Sequence, residues 1–326
     1  LPDFTTDAYK DAYSAANKEE RARKLEVAAA SYLSAADVAT RDGEKGRAYF
    51  RAGECYRIKR KYDKAADCFK KVMALKGASG YDRGASQLRL GQMIWWQQKP
   101  AEAIPVLEKV QTVKGAHPHH ITDAMLHCGY CNEKMKKYDQ ALKCYEAVLS
   151  KKTHPHHMSR AELGVGNVKR IQKNYDEAIA HYTKIPAMPK VHPHHVTESY
   201  LHSGYILVAQ KKYDEAIAAF NKCINYKGGN SNHKGSARLA IGNIYRSQKK
   251  YEDAIKEYAK VKDMKKASPY HVTEADRLTG YCYWDMKQYD KAKEYFEKVM
   301  AAKKAWSWQK SSTKNMLKAI ASKLKK

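Results

Sequence analysis

Apolar and small residues recur along this chain as two coupled helical stripes separated by a polar break. The clearest copy is Gly53, Tyr56, Tyr62, Ala65, Phe69 and Val72. An Ala, an aromatic four residues on and a Val or Ile three beyond that share one face of an α-helix, so the second half of the unit is amphipathic. The glycine stands on a separate helical stretch, where the missing side chain lets that second helix approach closely. The pattern returns at Gly53, Gly91, Gly129, Gly166, Gly204, Gly242 and Gly280, in steps of 38, 38, 37, 38, 38 and 38 residues. Nine residues after each Gly stand Tyr62, Pro100, Tyr138, Tyr175, Tyr213, Tyr251 and Tyr289, then an Ala three residues on, then Phe69, Leu107, Tyr145, Tyr182, Phe220, Tyr258 and Phe296. Each period therefore predicts helix, tight turn, helix. Pairs such as Tyr62-Asp63, Tyr138-Asp139 and Tyr251-Glu252 mark the turn, placing an acid at the positive end of the second helix.

From Gly53 to Val299 this combination resembles the tetratricopeptide repeat. The resemblance implies an all-α fold, a right-handed superhelical solenoid of antiparallel helix hairpins, and a role in protein recognition. The period exceeds the family's usual length of about 34. The surplus falls between one second helix and the next first helix and reads as a loop insertion, often carrying a Pro, as at His117-Pro118, His154-Pro155, His192-Pro193 and Ser268-Pro269. Such long repeats are similar to those of bacterial envelope tetratricopeptide proteins of the Tol-Pal-associated and outer-membrane-assembly types. The expected organisation is a degenerate capping repeat over 1–45 with Ala28 and Tyr32, seven repeats over 46–304, and a capping helix over 305–326 with Trp306, Trp308, Met316, Leu317, Ile320 and Leu324. Terminal repeats differ because their outer faces meet water.

Composition agrees with an array. The 326 residues exceed what one compact core supports, and 43% hydrophobic with 29% charged residues is far from disorder. No uncharged apolar run of about 18 residues exists, so no membrane span is expected. The chain starts at Leu1 without an initiator Met, which reads as a mature form after leader removal; with the resemblance, this gives export to a periplasm or comparable lumen as the expectation. The net charge of +26 attracts polyanions or acidic proteins. Much of it has a structural cause, because Arg60-Lys61, Lys136-Lys137, Lys211-Lys212 and Lys249-Lys250 fall at helix C-termini, where the dipole favours cations. Charge spread over both edges argues against nucleic acid. No GxGxxG, Walker, HExxH or GxSxG motif is present, so neither an enzyme nor a cofactor is expected.

By the resemblance, first helices line a concave partner-binding groove, faced by the residue after each Gly: Glu54, Gln92, Tyr130, Asn167, Tyr205, Asn243 and Tyr281. Three residues on come Arg57, Trp95, Glu133, Arg170, Val208, Arg246 and Trp284. Asn and Arg suit a peptide backbone or carboxylate, and Tyr and Trp supply contact area, so a protein partner with an acidic segment is expected. An ordinary solvated helix face carries similar residues. Three loops hold His117, His119, His120, His154, His156, His157, His192, His194 and His195, a candidate metal-binding or pH-sensitive ridge. Stacked helices lie about 8–10 Å apart while Zn–N bonds are about 2.0–2.1 Å, so each metal site would be built mostly within one loop. The other reading is helix capping, with Pro at the first helical position. Cys55/Cys68 and Cys131/Cys144 occupy matching positions on the two helices of a hairpin, but Cys282 holds the first position opposite Tyr295, which favours buried free thiols. The chain thus reads as a non-catalytic interaction scaffold or an assembly subunit of a larger complex. Alternatives are a structural subunit acting through its loop edges or by homo-oligomerisation, and a His-rich metal-binding protein.

Overall fold

A computed structural model of the chain describes residues 6–151, 153–264 and 266–324. These form seventeen α-helices and two short 3-10 turns, with no strand among the described residues. Contacts divide the chain into two units, Leu1–Val168 and Lys169–Lys326. The first holds α1 (Asp7–Arg21), α2 (Leu25–Val38), α3 (Asp42–Ile58), α4 (Tyr62–Ala74), α5 (Gly80–Trp96), α6 (Pro100–Glu108), α7 (Pro118–Lys134), α8 (Tyr138–Ser150) and most of α9 (Pro155–Ile171). The second holds α10 (Tyr175–Lys184), α11 (Pro193–Ala209), α12 (Tyr213–Asn225), α13 (Ser231–Ser247), α14 (Tyr251–Lys262), α15 (Pro269–Asp285), α16 (Tyr289–Ala301) and α17 (Ser307–Leu324). Residues 1–5 of the expected first cap and 325–326 of the last lie outside the described residues.

Each hairpin closes on one contact. A Cβ on Gly53 would stand 2.7 Å from the Phe69 ring, on Gly204 2.4 Å from Phe220, and on Gly242 2.3 Å from Tyr258. Tyr145 is wedged between two glycines, with Cβ positions of Gly129 on α7 and Gly164 on α9 at 2.3 and 2.6 Å from its ring. The ring joins one hairpin to the next first helix. All these rings are fully buried, each contributing about 1.5–3 kcal/mol of transfer free energy. Where the ring is Tyr, its hydroxyl finds an acceptor on the facing helix. The hydroxyl of Tyr32 donates to Asn17 and Glu20, that of Tyr145 to Glu133 and that of Tyr258 to Asn243, whereas Phe220 faces the first helix bearing Tyr205 and Val208. A buried hydroxyl needs an acceptor, and each of these tyrosines has one. The first hairpin follows the rule without a glycine, since fully buried Ala16 takes the Gly register twelve residues before Ala28.

The surplus in the period is helix, which corrects the expected loop insertion. α7, α9, α11 and α15 start at their Pro and run 17 residues, so the first helix gains about one turn at its N-terminus. The first helices without Pro, α3, α5 and α13, also run 17 residues, so the length is common to the repeats; where Pro stands first it needs no N–H partner, and the residue before it caps the free N–H groups. His117, His154 and His192 accept through Nδ1 from the backbone N–H two residues on, each at 3.2 Å, and Ser268 accepts from His271. At the other end, seven residues after each Gly, stand Arg60, Gln98, Lys136, Lys173, Lys211, Lys249 and Lys287, all with φ between 59° and 65°. These left-handed residues let the chain reverse, at a cost of about 1–2 kcal/mol each for a residue with a Cβ.

Two substitutions in urea unfolding follow from these contacts. Gly129→Ala should destabilise by roughly 1–3 kcal/mol through overpacking against Tyr145. Lys136→Gly should stabilise by about 0.5–1 kcal/mol, the relief at the left-handed position minus the backbone entropy that glycine adds; a loss of stability would show that the Lys side chain is needed there.

Candidate partner-binding faces

In the first unit the expected groove residues form a polar ladder across four first helices. Glu54 on α3 takes both arms of Arg57, at 2.8 and 2.9 Å, and the Nε of Arg89 from α5 at 3.0 Å. Arg89 also donates to Gln92 at 2.7 Å, and Gln92 donates to Asp123 of α7 at 3.0 Å. Arg160 of α9 closes the run, donating to Asp123 at 2.6 Å and to the Tyr130 hydroxyl at 3.1 Å with its guanidinium over the Tyr130 ring. Burial would raise the Asp123 carboxyl, but His127 and Arg160 outweigh it and hold the group below the usual carboxylate range. Burial likewise opposes ionisation of Glu54, and the hydrogen bond from Arg57 and the charge of Arg89 reverse the shift. Trp95 is half-buried against the core of α5–α7, while Glu133 is used by Tyr145. Asn167 stands on α9, half-buried, one residue after Gly166.

In the second unit, Tyr205, Ser236, Asn243, Tyr270 and Glu274 from α11, α13 and α15 line a cleft of about 160 Å³. Tyr205 is exposed and leans edge-on against Phe220. Asn243 accepts from the Tyr258 hydroxyl at 2.7 Å through Oδ1. Arg246 grips Asp285 with two bonds of 2.9 and 2.8 Å and lies over the Tyr281 ring, whose hydroxyl meets Ser312. Trp284 packs on Tyr289, and Val208 on the apolar core of α11–α13. Arg170 differs from the other two groove arginines, since its buried Nε has no hydrogen-bond partner.

The histidine loops lie between neighbouring repeats. His117, His154 and His192 cap their own helices, while His120, His157 and His195 take the third helical position and are buried. His157 Nδ1 lies 2.6 Å from the Thr122 hydroxyl, with its ring 4.2 Å from that of His119 on the preceding first helix. The His156 ring is tilted against that of His157, with centroids 5.9 Å apart. Close imidazole contacts thus also run across adjacent first helices, which the within-loop reading did not anticipate. Of the nine loop histidines, only His194 joins a three-residue group with metal-ligand spacing among the described residues.

Tetratricopeptide repeat profiles match residues 46–78, 123–151, 197–230 and 235–305. The chain belongs to the tetratricopeptide repeat family. A tetratricopeptide repeat protein from Parabacteroides merdae ATCC 43184 superposes at a TM-score of 0.54 and 18% identity, covering 86% of this chain and 100% of that one. PilW, a widely conserved type IV pilus biogenesis factor, superposes at 0.51 and 18% identity over 67% of this chain and 92% of its own. Pseudomonas aeruginosa PilF does so at 0.51 and 13% identity over 70% and 95%. At such identities the likeness is one of fold. No curated sequence matches significantly.

The ladder residues that the repeat register left out, Asp123, Arg160 and Glu274, stand six residues before the repeat Gly, one heptad before the residues that follow it. Extending the stripe by two helical turns finds them. No helix among the described residues is long and apolar enough to cross a membrane. The seven cysteines are free, and burial pushes the thiols of Cys55 and Cys131 up to about 12.

Two measurements test this chemistry of the repeats. Burial first, then the charges of His117, His119 and Arg89, holds His120 down to about 4 against the pull of Asp123; burial and His119 do the same for His157, beside Asp123, Arg160 and His156. Both imidazoles are neutral in the folded chain, so their contribution to stability is present above pH 6.5 and is lost as pH falls toward about 4. The melting temperature should fall through that window, and fall less for the double variant His120→Gln/His157→Gln. Thiol alkylation at pH 8 should be slow in the native chain and reach seven equivalents only on unfolding.

Proposed function

We propose that this protein is a non-catalytic interaction scaffold or assembly subunit that holds a segment of a protein partner on the first-helix faces, the central cleft of the second unit being the anchor. The polarity of Asn243 carries the reading. With Oδ1 committed to Tyr258, the exposed amide keeps Nδ2 to donate to a partner carbonyl, next to the exposed Tyr205 ring. An aromatic surface beside a fixed donor is the combination that concentrates interface energy. Family membership supports partner binding in general. Arg57 and Arg246 are neutralised by Glu54 and Asp285, so the preference for an acidic segment rests on Arg170 and on the lysine-rich field around it. A periplasmic or similar lumenal setting is part of the proposal, supported by the long Pro-marked repeat, and fractionation of native cells tests it.

The binding test uses the intact chain as bait in native extract, followed by titration of the recovered partner. Tyr205→Ala/Asn243→Ala should weaken binding roughly tenfold or more while leaving the helical signal intact. Lys211→Ala/Lys212→Ala on the turn edge should change mainly the association rate and its salt dependence. Wild-type affinity in the cleft variant, with loss in the edge variant, would move the binding surface to the loops.

A further inference from the structure

Three side chains of α11 and α13 converge where the faces meet the histidine edge. His194 Nε2 stands 3.4 Å from Glu198 Oε2 one turn along α11, close to the edge of a tetrahedron with zinc–ligand bonds, about 3.3 Å. His233 of α13 brings its ring to 4.5 Å from that of His194, and one ligand atom from each of the three residues lies within 4.8 Å of the others. Both rings are held by Nδ1, His233 against the Thr197 hydroxyl at 3.0 Å and His194 accepting from the Asn230 amide at 2.9 Å, which turns the Nε2 of His194 toward Glu198, where it must give up its proton to coordinate. His202, a further turn along, approaches the second oxygen of Glu198 at 3.7 Å and steadies the carboxylate. Rings oriented by outer contacts and a supported carboxylate are what a metal site requires.

The first unit holds the matching trio His119, Asp123 and His157 two repeats earlier in the chain, and the comparison is informative. There Arg160, Gln92 and His127 occupy the shorter carboxylate. At the register of Arg160 the second unit has Ser236, and no Lys or Arg pairs with Glu198 among the described residues. The carboxylate is therefore left to the histidines. We propose that His194, Glu198 and His233 bind one divalent ion of the zinc class, with a fourth position open to water. Two imidazoles and one carboxylate select a borderline transition metal over Ca²⁺ or Mg²⁺, which take oxygen. Such an ion would tie α11 to α13 beside the cleft.

The test is calorimetric titration of Zn²⁺ into metal-free, untagged, full-length chain, with Co²⁺ absorption as a second readout. One tight site per chain is expected. Glu198→Gln and His233→Ala should each weaken it at least tenfold, and His119→Ala should leave it unchanged. Coordination moves the His194 proton from Nε2 to Nδ1, where Asn230 now donates, so Asn230→Asp, an equally good helix cap, should tighten the site about tenfold. Should His233→Ala fail to fold, the near-isosteric Glu198→Gln decides. Absence of binding at tens of micromolar Zn²⁺, or a stoichiometric site that survives Glu198→Gln, overturns the proposal.

Discussion

The contact of an aromatic ring with a bare glycine backbone is what the rest of this structure depends on. It sets the distance between the two helices of a hairpin, and at Gly164 it also sets the distance to the next first helix. Because the ring, or Leu107 in α6, enters from the second helix at a constant register, it fixes the rotation of the facing first helix as well as its approach. Every other column of side chains inherits that rotation. The choice between Phe and Tyr then couples the core to the face, since each buried hydroxyl takes an acceptor that would otherwise meet solvent, as Asn243 and Glu133 do.

Equal spacing turns residues of different repeats into neighbours, and the chemistry of a face is decided by pairs across the stack. Six residues before the Gly, Asp123 meets Arg160 and both are neutralised, which yields a stiff, charge-balanced ladder. In the second unit the same register carries Glu198 and then Ser236, so an acid is left beside imidazoles. One scaffold thus offers a closed network in one place and open ligands in another without any change of backbone. The first helices, 17 residues long with or without a leading Pro, carry the histidines into the stack, where those at the third position are buried against the preceding repeat.

The reversals between helices show how a repeated local cost is tolerated. Seven non-glycine residues sit in the left-handed region at one register. The following turn leads an acid onto the N-terminus of the second helix, and the cation just before it lies at the C-terminus of the first. Much of the positive charge is accounted for by this geometry.

Helix, turn and period were legible in the sequence because they rest on contacts within a single repeat, where spacing alone places Gly against a ring and Pro at a helix start. The extra turn of the first helix was open to the same reasoning, but Pro also marks loops, and only the cap bonds of His117, His154 and His192 distinguish the two. The face residues after each Gly were legible as positions and not as chemistry. Arg57 and Arg246 look available in sequence, and the fold pairs them with Glu54 and Asp285. The pairing of Asp123 with Arg160, 37 residues on, and of His194 with His233, 39 residues on, depends on how neighbouring first helices are rotated against each other. That rotation comes from packing between repeats, and no spacing within one repeat encodes it.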